Sequence, residues 1–462
     1  MFKIFKGFRN AQGRMLSGQT IRTPRSDQEN ASMGQGEAEK CHKCYTCEAG
    51  ISPEITAVMF KKAKAEGSIP QEWFVNDGCT ECVTCEKGFS SVSKRRSTTY
   101  FVFLTNECNL RCTYCYATKR PMIMTPDTIE RLKVFLTDAE DIRLGPARDI
   151  SIQFFGGEPT MEWDAMKKFI VEFEVLAAKR GMKVKWGMTT NCTLLTEERL
   201  QFMKDHDLKP LLSIDGRPET HDRHRLTVSG KGSSHLIDLD MILKYFPTPE
   251  IRPTITPESI HTWLDDLAWF HSKGLYTVAT EVAYEADWKV EDFAAAEKVY
   301  AAMAEIYVNR KLAGLPIWMK FIEDGKGIST PQRTGSVCGT VNNSCAIDAA
   351  GRLFACQRYA SFANDALILG DIYSGFNEIK LKEAQSLKRE NMFPAVGNCD
   401  GCVARWMCRG GCNAMNHQVH GDRRKILENH CIFHQMWARL SLMALARTGE
   451  LWAQKKHTCK NK

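Results

Sequence analysis

Between about residues 97 and 312, strand-like and helix-like segments alternate six times, and no other feature restricts the fold as strongly. The strand-type runs are Thr98–Leu104, Asp149–Phe155, Met182–Thr190, Lys209–Ile214, Ile251–Thr256 and Thr277–Tyr284. Amphipathic helix patterns lie between and after them, at Pro126–Asp138, Met161–Arg180, Thr196–His206, His235–Tyr245, Ile260–Lys273 and Val290–Lys311. Six β-α units in series imply a parallel sheet with right-handed crossovers. The natural closure is an α/β partial (β/α)6 TIM-like barrel; the alternative is a flat doubly wound sheet. Barrels of this kind carry their active sites at the C-terminal ends of the strands. Four motifs fall there in turn. Cys108-x3-Cys112-x2-Cys115 follows the first strand and Gly156-Gly157-Glu158-Pro159 the second, while Thr190-Asn191 ends the third and Ser213-Ile214-Asp215-Gly216 the fourth.

Three thiolates at the spacing of Cys108, Cys112 and Cys115 can hold a 4Fe–4S cluster, whereas a site used only for electron transfer has four. One iron is then left open to a ligand, as in a catalytic metal site. A zinc knuckle or buried thiols is the alternative. The spacing, with Tyr114 before the last cysteine, resembles the radical S-adenosylmethionine (SAM) enzymes. The resemblance implies that the open iron chelates the amino and carboxylate groups of SAM. One-electron reduction then breaks the S–C5′ bond, and a 5′-deoxyadenosyl radical abstracts a substrate hydrogen.

Gly156 and Gly157 let backbone approach a ligand closely, and Pro159 stiffens the exit from the turn. By resemblance, backbone carbonyls here and Glu158 hold the SAM amino group. Asn191, Ser213 and Asp215 resemble the family's polar contacts to the SAM carboxylate and ribose; strand-end capping is their alternative role. Arg225, in His221-Asp-Arg-His-Arg225, is either a bidentate clamp for the SAM carboxylate or an exposed charge. Tyr114 is placed near adenine by the same resemblance.

Nineteen cysteines in 462 residues are too many for an ordinary reducing-compartment enzyme without metal or cluster sites. A disulfide framework is a poor explanation for a chain of this size without a signal peptide. A cytoplasmic location is therefore expected. No apolar stretch reaches the length of a membrane span, and no basic-aromatic pattern argues for nucleic acid. The net charge of +7 is concentrated at the start, where Lys3, Lys6, Arg9, Arg14, Arg22 and Arg25 precede the first acid, Asp27. Residues 1–40 are expected to form a disordered basic arm, with a membrane-surface or transit-like helix as the alternative. Residues 41–95 form a cysteine-rich segment, 97–312 the barrel and 313–462 a C-terminal region.

That last region carries Cys338, Cys345 and Cys356, then Cys399-x2-Cys402-x5-Cys408-x3-Cys412, then Cys431. Eight thiolates suffice for two fully ligated 4Fe–4S clusters. With Gly351 five residues before Cys356, the pattern resembles the SPASM extension of radical SAM peptide and protein maturases. The resemblance implies interleaved ligands: Cys338, Cys345, Cys356 and Cys412 for a first auxiliary cluster, and Cys399, Cys402, Cys408 and Cys431 for a second. Gln357 departs from the sulfatase-maturating branch, where an Asp general base follows the third ligand of the first auxiliary cluster. Asp371, Tyr359 or an open auxiliary iron are the candidate replacements.

Cys41-x2-Cys44-x2-Cys47 and Cys79-x2-Cys82-x2-Cys85 form an imperfect repeat. Each matches the first three ligands of a bacterial-ferredoxin run, but Ile51 and Phe89 stand where the fourth belongs. A zinc site pairing the triplets and an extra Fe–S cluster are both open. Cys192 and Cys459 are treated as non-ligands. The chain as a whole is read as a radical SAM/SPASM maturase that binds SAM and three 4Fe–4S clusters, or four if the N-terminal triplets hold one. It would oxidise or cross-link a residue in a peptide or protein and take electrons from a low-potential donor such as flavodoxin or ferredoxin. The alternatives are oxidation of a small molecule, or a non-catalytic Fe–S electron carrier or scaffold.

Overall fold

The computed structural model describes residues 96–137, 148–326, 344–362, 364–386, 399, 401–408 and 410–450. The basic arm, both N-terminal cysteine triplets, Cys338 and Cys459 lie outside these residues.

The first four strands are β1 (Arg96–Phe103), β2 (Arg148–Phe155), β3 (Lys183–Thr190) and β4 (Lys209–Leu212), each parallel to the next. Helices α1 (Pro126–Thr137), α2 (Trp163–Lys179) and α3 (Glu197–Asp205) connect them. Local chemistry sets the helix starts. The Thr196 side chain accepts from Arg199 N at the head of α3, where Glu197 and Glu198 also suit the positive end of the helix dipole. A short helix α4 (Pro218–His224) and α5 (Leu239–Tyr245) follow, the latter capped by Asp238 accepting from Met241 N at 2.9 Å.

The fifth and sixth sequence strands each break in two. The fifth becomes β5 (Glu250–Ile251) and β6 (Thr254–Ile255); α6 (Trp263–Ser272) intervenes, and the sixth becomes β7 (Thr277–Val278) and β8 (Glu281–Val282). Pro253 has no N–H to give a ladder, which explains the first break. Strands β6 and β8 pair in parallel as a separate two-stranded sheet. The chain continues through α7 (Val290–Leu312), β9 (Trp318–Met319) and α8 (Lys320–Gly325).

The C-terminal region supplies β10 (Ser344–Ile347), β11 (Arg352–Phe354), α9 (Gln357–Ala360), β12 (Gly370–Asp371), β13 (Gly375–Phe376), α10 (Glu378–Gln385), α11 (Arg405–Cys408), α12 (Asn413–His420) and α13 (Glu428–Arg447). Strand β10 runs parallel to β1 and extends the barrel sheet. The sheet order is β13-β12-β11-β10-β1-β2-β3-β4-β5-β7-β9, parallel from β10 to β9 and antiparallel beyond β10. Among the described residues the sheet has two ends and does not close, so this is a partial barrel.

Helix α13 packs on α7 and α8 through aromatic side chains: Trp437 lies 5.4 Å from Tyr300 and 6.4 Å from Phe321, and Phe433 4.7 Å from Trp288 just before α7, ring centre to ring centre. Phe433 is fully buried and Trp437 nearly so, each contributing roughly 1.5–3 kcal/mol of burial. These contacts fix the helix that carries Cys431. On the inner face of β1, Phe103 joins Ala346, Phe354, Tyr359 and Phe362 in a buried cluster, with Cys356 and Cys412 packed against it. The opposite face of β1 lies under α1, where the Tyr100 ring meets Phe135 at 6.4 Å.

Candidate active site

The four motifs stand on adjacent strands, and hydrogen bonds tie them into one rim. Gly157 N donates to Thr105 O at 3.2 Å and Glu158 N to Glu107 O at 2.8 Å, so the loop after β2 is laid directly on the cysteine loop. A Cβ on Gly157 would stand 1.6 Å from Glu107 O, and one on Gly156, whose φ is +127°, 2.3 Å from Thr105 O. The glycines are required here because two protein backbones touch, a closer constraint than the ligand approach expected from sequence.

Glu158 is buried and accepts four hydrogen bonds. Its Oε1 takes Thr160 N at 3.1 Å, Thr160 Oγ1 at 2.6 Å and Thr190 Oγ1 at 2.8 Å; its Oε2 takes Asn191 N at 2.7 Å. Burial pushes its carboxyl above the usual range, and the Asn191 and Thr160 bonds pull it part of the way back. The Asn191 side chain then reaches the cysteine loop, donating from Nδ2 to Asn109 Oδ1 at 2.9 Å and lying 3.8 Å from Cys108 Sγ. Half-buried Ser213 is held by its backbone N–H, which donates to Thr190 O at 2.9 Å.

Asp215, Arg225 and Tyr114 form a second unit. Arg225 is buried, which excludes the exposed-charge alternative, and its Nη2 donates to Asp215 Oδ1 at 2.9 Å. Tyr114 OH donates to Asp215 Oδ2 at 2.5 Å, and the Arg225 guanidinium lies 5.6 Å from the centre of the Tyr114 ring. Burial alone would raise the Asp215 carboxyl, but Arg225 outweighs it and holds the group below its ordinary value. His221 sits against this unit. Ser233 Oγ donates to Arg225 O at 2.7 Å and so receives the His221 Nε2 proton at 3.2 Å, leaving Nδ1 to accept from Asp215 N at 3.4 Å. A second proton has no place there, and burial, aided by Arg225, lowers the imidazole to about 4.

The cysteine loop is also held from below. Leu110 bridges to Thr227, Arg111 N donates to Leu226 O at 2.6 Å, and the Thr113 hydroxyl meets His224 Nδ1 at 2.7 Å. Sequence reasoning passed over His224, although it lies in the same short charged run as Arg225. None of Cys108, Cys112 and Cys115 is in a disulfide. Burial raises the Cys108 thiol, with Lys119 opposing it, and raises Cys112 to about 11, with Arg225 opposing it. A metal held by these thiols would therefore have to displace their protons. Three reduced thiols on one loop, with Lys119 Nζ 3.1 Å from Cys115 Sγ and Arg225 beneath Cys112, suit a cluster whose thiolates add negative charge. Among the described residues, no three Cys, His, Asp or Glu side chains close around a single metal ion.

In the C-terminal region, Cys399, Cys402, Cys408 and Cys431 come within electrostatic reach of one another. His430 Nδ1 lies 3.8 Å from Cys408 Sγ. Cys356 and Cys412 share the inner core surface, whereas Cys345, in β10, does not join it. Between Cys356 and the rim stands Arg358, stacked 4.1 Å over the Tyr116 ring, bonded to Gln418 Oε1 at 2.8 Å and paired with Glu285. Asp371 is committed to the β12–β13 turn, where it accepts from Tyr373 N at 2.8 Å, Ser374 N at 2.7 Å and Ser374 Oγ at 2.8 Å. Strands β10 and β11 separate it from β1, so the structure does not bring it to the rim. Tyr359 is buried in the inner core beside Cys356. Cys192 is buried at the end of β3 with φ +69°.

Residues 102–235 match the Radical SAM superfamily. Over 142 residues the chain is 29% identical to the cysteine-type anaerobic sulfatase-maturating enzyme of Clostridium novyi, covering 29% of this chain and 36% of that one. The chain thus spans about a third of the length of that relative. It is 21% identical to the radical SAM cyclopropyl synthase TigE of Paramaledivibacter caminithermalis over 361 residues, 73% of this chain and 72% of that one. The solved structure of native anSMEcpe with bound AdoMet superposes with a TM-score of 0.61 at 19% identity, covering 75% of this chain and 99% of the other. Streptococcus suis SuiB bound to its precursor peptide SuiA gives 0.50 at 13% identity, over 82% and 89%. The chain carries a radical SAM domain, an enzyme domain whose family implies a 4Fe–4S cluster and SAM. No described helix is long and apolar enough to cross a membrane.

Proposed function

We propose that this protein is a radical SAM maturase with auxiliary Fe–S centres that oxidises or cross-links a residue in a peptide or protein. The observation that carries the reading is the rim itself. A three-thiol loop, a buried glutamate, Asn191 and the Asp215–Arg225 pair stand at the C-terminal ends of four adjacent parallel strands, and further cysteines are built onto the same sheet. Cys108, Cys112 and Cys115 would hold the cluster that supplies the electron for SAM cleavage. Glu158, with its remaining Oε2 lone pair, and the backbone around Gly156 would receive the SAM amino group. Asn191 and Ser213 would meet its carboxylate and ribose, with Tyr114 near the adenine. Arg225 donates to Asp215 through Nη2, while its buried Nε has no hydrogen-bond partner among the described residues and would be left to meet the SAM carboxylate.

Cys399, Cys402, Cys408 and Cys431 would hold one auxiliary centre, and Cys356 with Cys412 part of another. The Clostridium novyi relative is named as a sulfatase-maturating enzyme, and the SuiB neighbour is solved with a precursor peptide; both favour a peptide substrate here. A low-potential donor such as flavodoxin or ferredoxin, a cytoplasmic location, and zinc or a further cluster at the N-terminal triplets complete the proposal. Anaerobic incubation of the reconstituted protein with SAM and dithionite tests it. 5′-Deoxyadenosine should form, and Cys115→Ala should abolish it. None from a fully loaded protein would leave an electron carrier or scaffold. Loss of two hydrogens from a co-expressed small peptide would identify the substrate class, while SAM cleavage without any peptide mass change would point to a small molecule.

A further inference from the structure

Three N–H groups converge on one sulfur of the C-terminal region, that of Cys408. The chain beyond it turns through Gly410 and Gly411, whose φ of +88° and +79° lie in the left-handed region that glycine enters without strain. The backbone N–H groups of both glycines donate to the Cys408 sulfur. The third group comes from α13, where His430 Nδ1 stands 3.8 Å from Cys408 Sγ. The packing holds this ring in place. It is 5% exposed, stacked at 3.8 Å on His434 one helical turn later, and 4.8 Å from the Tyr284 ring. His434 is fixed in turn, its Nδ1 donating to His430 O at 3.0 Å.

In the metal-free chain either atom of the His430–Cys408 contact can carry the proton. A sulfur bound to iron has given up its own proton and can only accept, so the contact becomes Nδ1–H···Sγ. Hydrogen bonds to the sulfurs of an Fe–S cluster stabilise its reduced, more negative form and raise its potential. Resting on the reading above that Cys399, Cys402, Cys408 and Cys431 hold an auxiliary centre, we propose that His430 is a positioning residue that raises the reduction potential of this centre through Cys408. The ligand role falls to its neighbour. Cys431 leaves α13 about 100° further round the helix and lies within electrostatic reach of Cys399, Cys402 and Cys408. A centre raised in this way is suited to accept an electron, not to deliver the one that SAM cleavage needs.

The test uses the full chain, reconstituted anaerobically, with iron and sulfide counted and a redox titration followed by electron paramagnetic resonance. His430→Phe keeps a ring against His434 and removes the N–H. It should hold the parent's iron, while the midpoint of one centre moves to lower potential and the others stay. His430→Asn, whose amide nitrogen can stand near the place of Nδ1, should return that midpoint toward the parent's. A midpoint in His430→Phe equal to the parent's would overturn the inference. Should either variant lose iron, or His430→Asn fail to restore the midpoint, the parent grown with isotope-labelled histidine decides by pulsed resonance. A weak histidine-nitrogen coupling is expected on the centre that Cys408→Ala removes; none, or the strong coupling of a nitrogen bonded to iron, would overturn the inference. A parent holding no more than about four irons, or a Cys408→Ala variant keeping all of the parent's iron, would refute the auxiliary-centre reading and the inference with it.

Discussion

Replacing Glu158 separates a clamp from a bystander. Glu158→Gln keeps the shape and one oxygen, which can retain the three donors now on Oε1: Thr160 N, Thr160 Oγ1 and Thr190 Oγ1. Its amide nitrogen then faces Asn191 N–H, which donates to Oε2 at 2.7 Å in the parent, donor against donor. A buried N–H left without an acceptor costs about 1–3 kcal/mol. Glu158→Ala removes the acceptor from two buried backbone N–H groups, Thr160 and Asn191, for roughly 2–6 kcal/mol. The two threonine hydroxyls can rotate to other partners and add less. Hydrogen–deuterium exchange of peptides covering Thr190–Thr193 reads the local part directly. At about 1–3 kcal/mol, the Asn191 amide should exchange about 5- to 150-fold faster in Glu158→Gln, and faster still in Glu158→Ala. Unchanged exchange at Asn191 in Glu158→Ala would refute the clamp and leave Glu158 a buried charge of no structural consequence.

Gly157→Ala should displace the cysteine loop, because its new Cβ would stand 1.6 Å from Glu107 O; the reconstituted variant should lose the absorbance of the first cluster, and a parent-like spectrum would contradict the packing. His221 is lowered to about 4, so the stability it contributes is present above its ordinary value near 6.5 and lost as pH falls toward 4, up to roughly 3 kcal/mol. His221→Gln should flatten denaturation midpoints measured between pH 7 and pH 4, and an unchanged slope would place the titration elsewhere. Arg225→Met leaves the Asp215 carboxylate buried without its partner, a cost of about 3–5 kcal/mol. Because Arg225 holds the Asp215 carboxyl low in the parent, its removal lets Asp215 take a proton as pH falls, so the loss in stability should be smaller at pH 4 than at pH 7.

The barrel was legible because its signals are local. The run Thr98–Leu104 and the helix pattern Pro126–Asp138 become β1 and α1 within one or two residues, since hydrophobic period and turn chemistry are both written nearby. The splits at β5/β6 and β7/β8 were not read, although Pro253 marks the first. The motif positions on the rim were legible, but the reason for Gly156 and Gly157 was not: the cysteine loop that fills the space of their missing side chains is distant in sequence. The attachment of β10 to β1 escaped for the same kind of reason. A four-residue strand carries no mark of its partner, and the face Cys345 presents depends on that partner. Arg358, Glu285 and Tyr116 come from three separate regions and meet only in the folded chain.

The pairing of β10 with β1 also determines what a shortened protein would be. Without the C-terminal strands, β1 becomes the outer strand, and its Thr-Tyr-Phe-Val-Phe run (Thr99–Phe103) shows a free row of backbone donors and acceptors. No proline interrupts it and no charge lies within it, two of the devices that keep such an edge from recruiting another chain. A barrel cut away from its cysteine-rich partner would thus tend to polymerise through the strand that leads into the SAM loop. The C-terminal strands serve as the barrel's edge guard.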